Sequence, residues 1–286
     1  MNSSLQEQEN FIVSDNLSLA WAAAFLQVRR HSHKEVCPLL VRITGFDADS
    51  KVIEDNNIRR AADACLEDLK EQSNETVANT IFPQSIYEYA DDRHELYVLY
   101  QETMPQRKAL ARSKNGRGLY FERLIDYGSG PGNQLEFIIE RYNKKSSVRR
   151  SMLQASLANP SEDEEVCEDD GEDRSPAAIF DPGRDHTVVA QLGFPCLQHV
   201  SFVPNNKDKT LSMNAFYATQ QIIPKAYGNF LGLSRLGRFM AKEMNLRLAA
   251  LNCFIGIEKQ PKETKFSAPA KVLETELAAL LALIKQ

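Results

Sequence analysis

A cysteine attacks carbon only as its thiolate, so Cys196, in the corner FPCLQHVSF, needs an electropositive setting that lowers its pKa from about 8.5. A lone cysteine at a strand corner is otherwise ordinary packing. The pair Arg149 and Arg150, in SSVRRSM, suits a phosphate, although adjacent arginines are commonly solvated or ion-paired. Asn229 offers one donor and one acceptor edge to a ligand, and it also suits a helix cap. His199 follows Cys196 by three residues and reads as a packed or surface histidine. The other cysteines, Cys37, Cys65, Cys167 and Cys253, bring the count to an odd five without CxxC spacing. That argues against a disulfide framework and a structural zinc site, and implies a reducing compartment. GSGPGN lacks both the lysine of a P-loop and GxGxxG spacing.

The elements that must position these groups are legible in outline. DNLSLAWAAAFLQVR reads as an amphipathic helix capped by Asp15 or Asn16, and CPLLVRITGF as a strand. A second helix runs through IRRAADACLEDLKEQ, capped by Asn56 or Asn57, with Cys65 on its apolar stripe as core. Residues 78–104 hold one or two short helices after a proline turn. KNGRGLYFERLIDYGSGPGN reads as loop, short strand and turn, NQLEFIIERYNKK as a helix, and VRRSMLQASL as a strand. Strands resume over 186–204 around the Gly-Phe-Pro-Cys corner, and LSMNAFYATQQI alternates with Leu211, Met213 and Ala215 on one face. NFLGLSRLGRFMAKEMNL and PAKVLETELAALLALIKQ are two further helices. The mixture predicts an α+β fold in a single domain over residues 1–286.

The net charge of −5 is uneven. Residues 161–174 carry nine acids and one arginine, which by subtraction leaves the rest of the 286-residue chain at +3. Such a segment buries too little apolar surface to fold alone, so 160–176 reads as a mobile acidic loop, with docking of a protein partner as its functional alternative. No apolar run approaches the ~18 residues of a membrane span, and MNSSLQEQENF lacks the pattern of a secretory signal. The expected location is cytoplasmic.

Taken in order, NQLEFIIERYNKKSSVRRSMLQAS, FPCLQHVSF and LSMNAFYATQQIIPKAYGNFLGLSRLGRFMAKEMNL resemble the thymidylate synthase superfamily over residues 133–246. The resemblance implies a mixed sheet packed with helices and a homodimer formed sheet on sheet. It puts Cys196 at the nucleophile of the Pro-Cys corner, Arg149 and Arg150 at the paired phosphate arginines that reach a neighbouring subunit, and Asn229 at the base-reading asparagine. A weaker match, RHELYVLYQE, puts Glu95 at a proton-relaying glutamate. Tyr120 in GLYFERL matches a tyrosine near the active-site water. The implied activity is C5 methylation or hydroxymethylation of a pyrimidine nucleotide, of uracil type because the position is Asn rather than Asp. The implied donor is methylenetetrahydrofolate, with no metal.

The chain departs from that pattern at several places. Ala218, followed by Thr219, replaces the third phosphate arginine, and Gln221 replaces the folate-facing aspartate. Ser201 replaces a glutamine after the nucleophile and falls among the substrate-binding positions that the resemblance implies. Lys259 and Pro261 fall where the sugar-binding histidine and tyrosine belong, and a helical sequence ending in IKQ replaces the short closing tail. The rival expectation is therefore a catalytically degenerate nucleotide-binding or assembly subunit.

Overall fold

A computed structural model describes residues 4–110, 119–127, 132–144, 149–157 and 196–284. The acidic segment 160–176 lies outside the described residues. In chain order the elements are β1 (Leu5–Gln8), β2 (Phe11–Ser14), α1 (Leu17–Arg30), β3 (Glu35–Val36), β4 (Leu39–Ile43), α2 (Asn56–Asp68), α3 (Asn74–Ile81), α4 (Gln84–Tyr89) and α5 (Arg93–Leu110). There follow α6 (Tyr120–Ile125), α7 (Gln134–Lys144), β5 (Gln154–Ser156), β6 (Leu197–Asn205), β7 (Thr210–Gln221), α8 (Tyr227–Glu243), β8 (Arg247–Lys259) and α9 (Ser267–Ile284). The fold is α+β. One mixed sheet runs β1-β2-β4-β8-β7-β6-β5, with β3 paired to β8 beyond β4. The β2–β4 and β7–β8 pairs are parallel and the others antiparallel.

Alternation assigns the two faces of the sheet. Leu39, Val41 and Ile43 of β4, Leu211, Met213, Ala215 and Tyr217 of β7, and Leu251, Cys253 and Ile255 of β8 are all buried. Helices α1 and α8 pack on that side. Asn16 caps α1, its Oδ1 accepting from the N–H groups of Ser18 at 2.9 Å and Leu19 at 3.2 Å. The expected amphipathic stripe is absent: every residue from Leu17 to Val28 is buried. The small alanines Ala20 and Ala22–Ala24 let strands and helices close on α1 from all sides, and a helix apolar all round belongs inside.

The opposite face is open, and strand register orders it into rows. Phe11, Leu40, Phe254, Phe216 and His199 stand side by side across β2, β4, β8, β7 and β6. Phe216 and Phe254 stack at 5.5 Å, and Phe11, Leu40 and Phe254 are 39%, 37% and 41% exposed. The neighbouring row is polar. Arg42 Nη1 donates to Asn252 Oδ1 at 3.0 Å, Asn252 Nδ2 to Asn214 Oδ1 at 2.8 Å, and Asn214 Nδ2 to Ser201 Oγ at 3.1 Å.

At one level of the sheet the alternation slips. Leu39, Ile255 and Tyr217 form one buried cross-strand row. The next buried row is Val36, Glu258 and Gln220, three residues along each chain segment rather than two. β6 slips at the same level, with a register shift between Leu197 and His199. Gly256 sits within this band, where a Cβ would meet the Ala218 carbonyl oxygen at 2.7 Å. The sheet therefore kinks here, and the kink turns Glu258 and Gln220 inward.

Several local expectations are corrected. Asp55, rather than Asn56 or Asn57, caps α2, accepting from the N–H groups of Asn57 at 2.9 Å and Ile58 at 3.0 Å. Residues 78–104 fall on three helices, α3 to α5. The segment after Gly118 is the helix α6, not a short strand, because burial of Phe121, Leu124 and Ile125 outweighs the glycine-rich surroundings. VRRSMLQASL yields a 3₁₀ turn at Arg150–Met152 and only a three-residue strand. Of the strands expected over 186–204, residues 186–195 lie outside the described residues. Asn229 is not a cap: a π turn, Ile222–Ala226, leads into α8, which begins at Tyr227.

Helix α8 crosses α3 on glycines. A Cβ at Gly232 would lie 2.7 Å from the Ala78 carbonyl oxygen and 2.9 Å from Ile81 Cβ. Neither is the end of a flexible side chain, so the helices would have to separate. Gly232→Ala should lower stability by about 1–3 kcal/mol, read as a lower denaturation midpoint with an unchanged slope.

Candidate functional site

Cys196 immediately precedes β6, at the sheet end where β7 and β8 finish. Its carbonyl accepts from the Ala218 N–H at 3.0 Å, which ties it to the kinked part of β7. The residue is half-buried. Burial pushes its thiol up, and the ammonium groups of Lys225 and Lys259 oppose that shift. This corrects two expectations. The thiol is raised rather than lowered, because desolvation outweighs the local cations. Those cations are lysines from the ends of β7 and β8, not Arg149 and Arg150.

Tyr120, the first residue of α6, stands beside Cys196. Burial raises its hydroxyl well above the usual tyrosine range, and a thiolate at Cys196 would raise it further. The backbone N–H groups of Leu197 and Cys196 act in the opposite sense. Tyr217 completes the group: burial first, then Tyr120, Cys253, Cys196 and Glu258, keep its hydroxyl protonated. Two protonated phenols near the thiol offer proton donors to an atom developing charge.

Asn229 lies in the first turn of α8, four positions after Lys225, and is 4% exposed. Among the described residues no group hydrogen-bonds its amide. That turn is anchored through Tyr227, whose hydroxyl lies 2.7 Å from Ser18 Oγ and donates to Glu54 Oε1 at 2.7 Å. Arg59 holds Glu54 at 2.9 Å and Asp63 at 2.7 Å, with its guanidinium 5.1 Å above the Tyr227 ring. Glu75 joins Arg59 to Arg235 of α8. The start of α8 is thus tied to α1 by the Ser18–Tyr227 hydrogen bond and, through Glu54 and Arg59, to α2 by charge-assisted bonds.

Other predicted residues stand elsewhere. Glu95 closes the N-terminus of α5: its Oε2 accepts from the Asp91 N–H at 2.6 Å, while Asp92 Oδ1 accepts from the His94 and Glu95 N–H groups. Arg149 and Arg150 are exposed at the turn before the edge strand β5, away from Cys196 of the same chain. Ser201 belongs to the polar row on the open face. His199 lies on that face too, with its pKa lowered by burial. Gln221 is in register with Lys259. Cys65 is core, and its thiol is pushed up to about 11 by burial, Asp68 and Glu276.

Two buried polar residues were not singled out from the sequence. Glu258 is 0% exposed and Gln220 2%, and among the described residues no group pairs with either side chain. An acid inside the apolar run LNCFIGIE is the one signal that marks Glu258 in advance. Among the described residues no group of three or more His, Cys, Asp or Glu could hold a metal ion, and no helix is long and apolar enough to cross a membrane. No protein-family model matches the sequence, and no curated protein matches it.

Proposed function

We propose that this chain is a thymidylate-synthase-like protein whose Cys196 thiolate adds to carbon 6 of a uracil-type nucleotide and activates carbon 5 for one-carbon transfer. The observation that carries the reading is the placement of Cys196 beside the Tyr120 hydroxyl, at the sheet end from which the π turn leads to Asn229. The sulfur forms a bond to C6 while the C5=C6 electron pair moves to the O4 enolate. A proton then joins C5. Loss of the original C5 hydrogen and expulsion of the thiolate restore the ring, so C5 hydrogen exchanges with water. Asn229 can meet N3–H with its oxygen and O4 with its NH₂ group.

The donor end does not fit methylenetetrahydrofolate as the resemblance implies it. Gln221 is a neutral amide in register with Lys259, and α9 is committed to packing Ala270, Leu273, Leu277 and Leu281 on α1 and α2. No step is routed through that donor. The test is therefore donor-free: release of tritium to water from deoxyuridine monophosphate labelled at C5. Release above the protein-free rate supports the reading, and absence of release removes it as an activity. Burial of the thiol favours a second reading, nucleotide binding without turnover, which predicts a thermal shift with the nucleotide but no release.

The same proposal includes a homodimer through the open sheet face. Its row of Phe11, Leu40, Phe254 and Phe216 is apolar and contiguous, the composition expected where a second sheet packs. Arg149 and Arg150, at the sheet edge, would serve the other subunit. Phe254→Arg should convert the dimer into a monomer at micromolar concentration in light scattering, and an unchanged mass would remove this interface.

A further inference from the structure

Strand register brings buried polar atoms without partners to one place. Gln220 of β7 and Glu258 of β8 are paired on parallel strands, so their side chains start about 4.8 Å apart on one face. Both residues are buried. The two Glu258 carboxyl oxygens and the Gln220 amide oxygen and nitrogen have no hydrogen-bond partner among the described residues. On β7, the Tyr217 hydroxyl and Thr219 Oγ1 are buried and unpaired among the described residues too. Folded proteins rarely leave such atoms unpaired, and a buried carboxylate takes a hydrogen-bonded partner or a bound cation in place of water. The titratable groups close by on the same two strands supply no positive charge: burial keeps the Tyr217 phenol and the Cys253 thiol protonated, and both are then neutral.

We propose that Glu258 and Gln220 form a closed site for a monovalent cation, a potassium or ammonium ion, which braces the kinked level of the sheet. One carboxylate balances one positive charge, and the Gln220 Oε1 adds a neutral oxygen. Magnesium keeps several waters of its own, and calcium takes six to eight oxygens, so a closed pair with a single carboxylate suits neither. The proton and the ion compete for the same carboxylate, so ion binding strengthens as pH rises. The brace acts close to Cys196 in the backbone: Ala218, two residues before Gln220, donates to the Cys196 carbonyl at 3.0 Å. The site does not depend on what the Cys196 thiol attacks.

Urea denaturation of the full chain tests this, with potassium or ammonium chloride exchanged for choline chloride at equal ionic strength. At about pH 8, either ion at about ten times its Kd should move the wild-type folding equilibrium about tenfold toward the native state, read as a higher midpoint at fixed slope. The ion with the larger shift is the better fit to the site. At about pH 5, where the buried carboxyl keeps its proton, the shift should vanish. Glu258→Gln should show no shift at either pH. Gln220→Leu keeps the carboxylate but loses the amide oxygen, and it should shift less than the wild type at the same ion concentration. Each protein is compared with itself in choline, so a change in its own stability does not enter. An equal shift in wild type and Glu258→Gln would mark a bulk salt effect. No wild-type shift relative to choline would mean that no such ion binds the carboxylate. Either result overturns the site, and a full shift in Gln220→Leu overturns it as a pair. The readout is stability alone, so its failure leaves the Cys196 reading standing, and absence of tritium release leaves the cation site standing.

Discussion

Cys196→Ser should reduce tritium release from C5-labelled deoxyuridine monophosphate by at least about a thousandfold, with the thermal midpoint nearly unchanged. A serine hydroxyl is not ionised at any workable pH, and loss of a nucleophile removes the covalent route rather than weakening it. The wild-type pH dependence carries independent information. Burial raises the Cys196 thiol, so at neutral pH only a small fraction is thiolate. Release should therefore climb about tenfold for each pH unit until the thiol's own pKa is reached. Lys259→Gln removes one of the cations that hold the thiol down, so its profile should move to higher pH. A flat profile between pH ~6 and ~8, or equal release by wild type and Cys196→Ser, would show that no thiolate adduct forms.

How far the sequence announced this arrangement depends on how local each signal was. α1 was legible because its cap and its apolar run lie together, yet its burial on every side depends on partners far along the chain. β7 was legible because one face is buried over Leu211–Tyr217 and the alternation is clean. β8, the longest strand among the described residues, was not assigned: it lies between β4 and β7, and the kink breaks its alternation at Gly256–Glu258. The same contrast holds at the site. The Cys196 corner was visible as a motif, while Lys225 and Lys259 come near the thiol only because two strand ends converge with it. Glu95 shows the opposite failure. Asp92-Arg93-His94-Glu95 has the spacing of a capping box, and helix closure claims the carboxylate that motif matching had assigned to proton relay.

Glu258 gives the second large expectation, a stability that falls as pH rises. Its carboxyl is 0% exposed, and among the described residues neither oxygen has a hydrogen-bond partner. Burial alone raises its pKa well above the ordinary carboxylate value. The unfolded chain releases this proton near pH ~4.3, whereas the folded chain retains it. Above that pH the unfolded state binds fewer protons than the native state, so the native state loses about tenfold in its folding equilibrium for each further pH unit, until the folded pKa is passed. The loss from this group accumulates with each pH unit until the folded carboxyl itself ionises. Glu258→Gln keeps the shape and neutrality of the protonated acid but has no proton to lose. It should match the wild type near pH ~4.5 and become progressively more stable than it as pH rises until the folded carboxyl ionises, the gap read from urea midpoints at fixed slope. The direction is opposite to that of ion-paired surface carboxylates such as Glu75, which Arg235 and Arg59 hold below the usual range and which stabilise the fold as pH rises above it. Parallel curves for wild type and Glu258→Gln would mean that a group in the folded protein pairs with the Glu258 carboxylate.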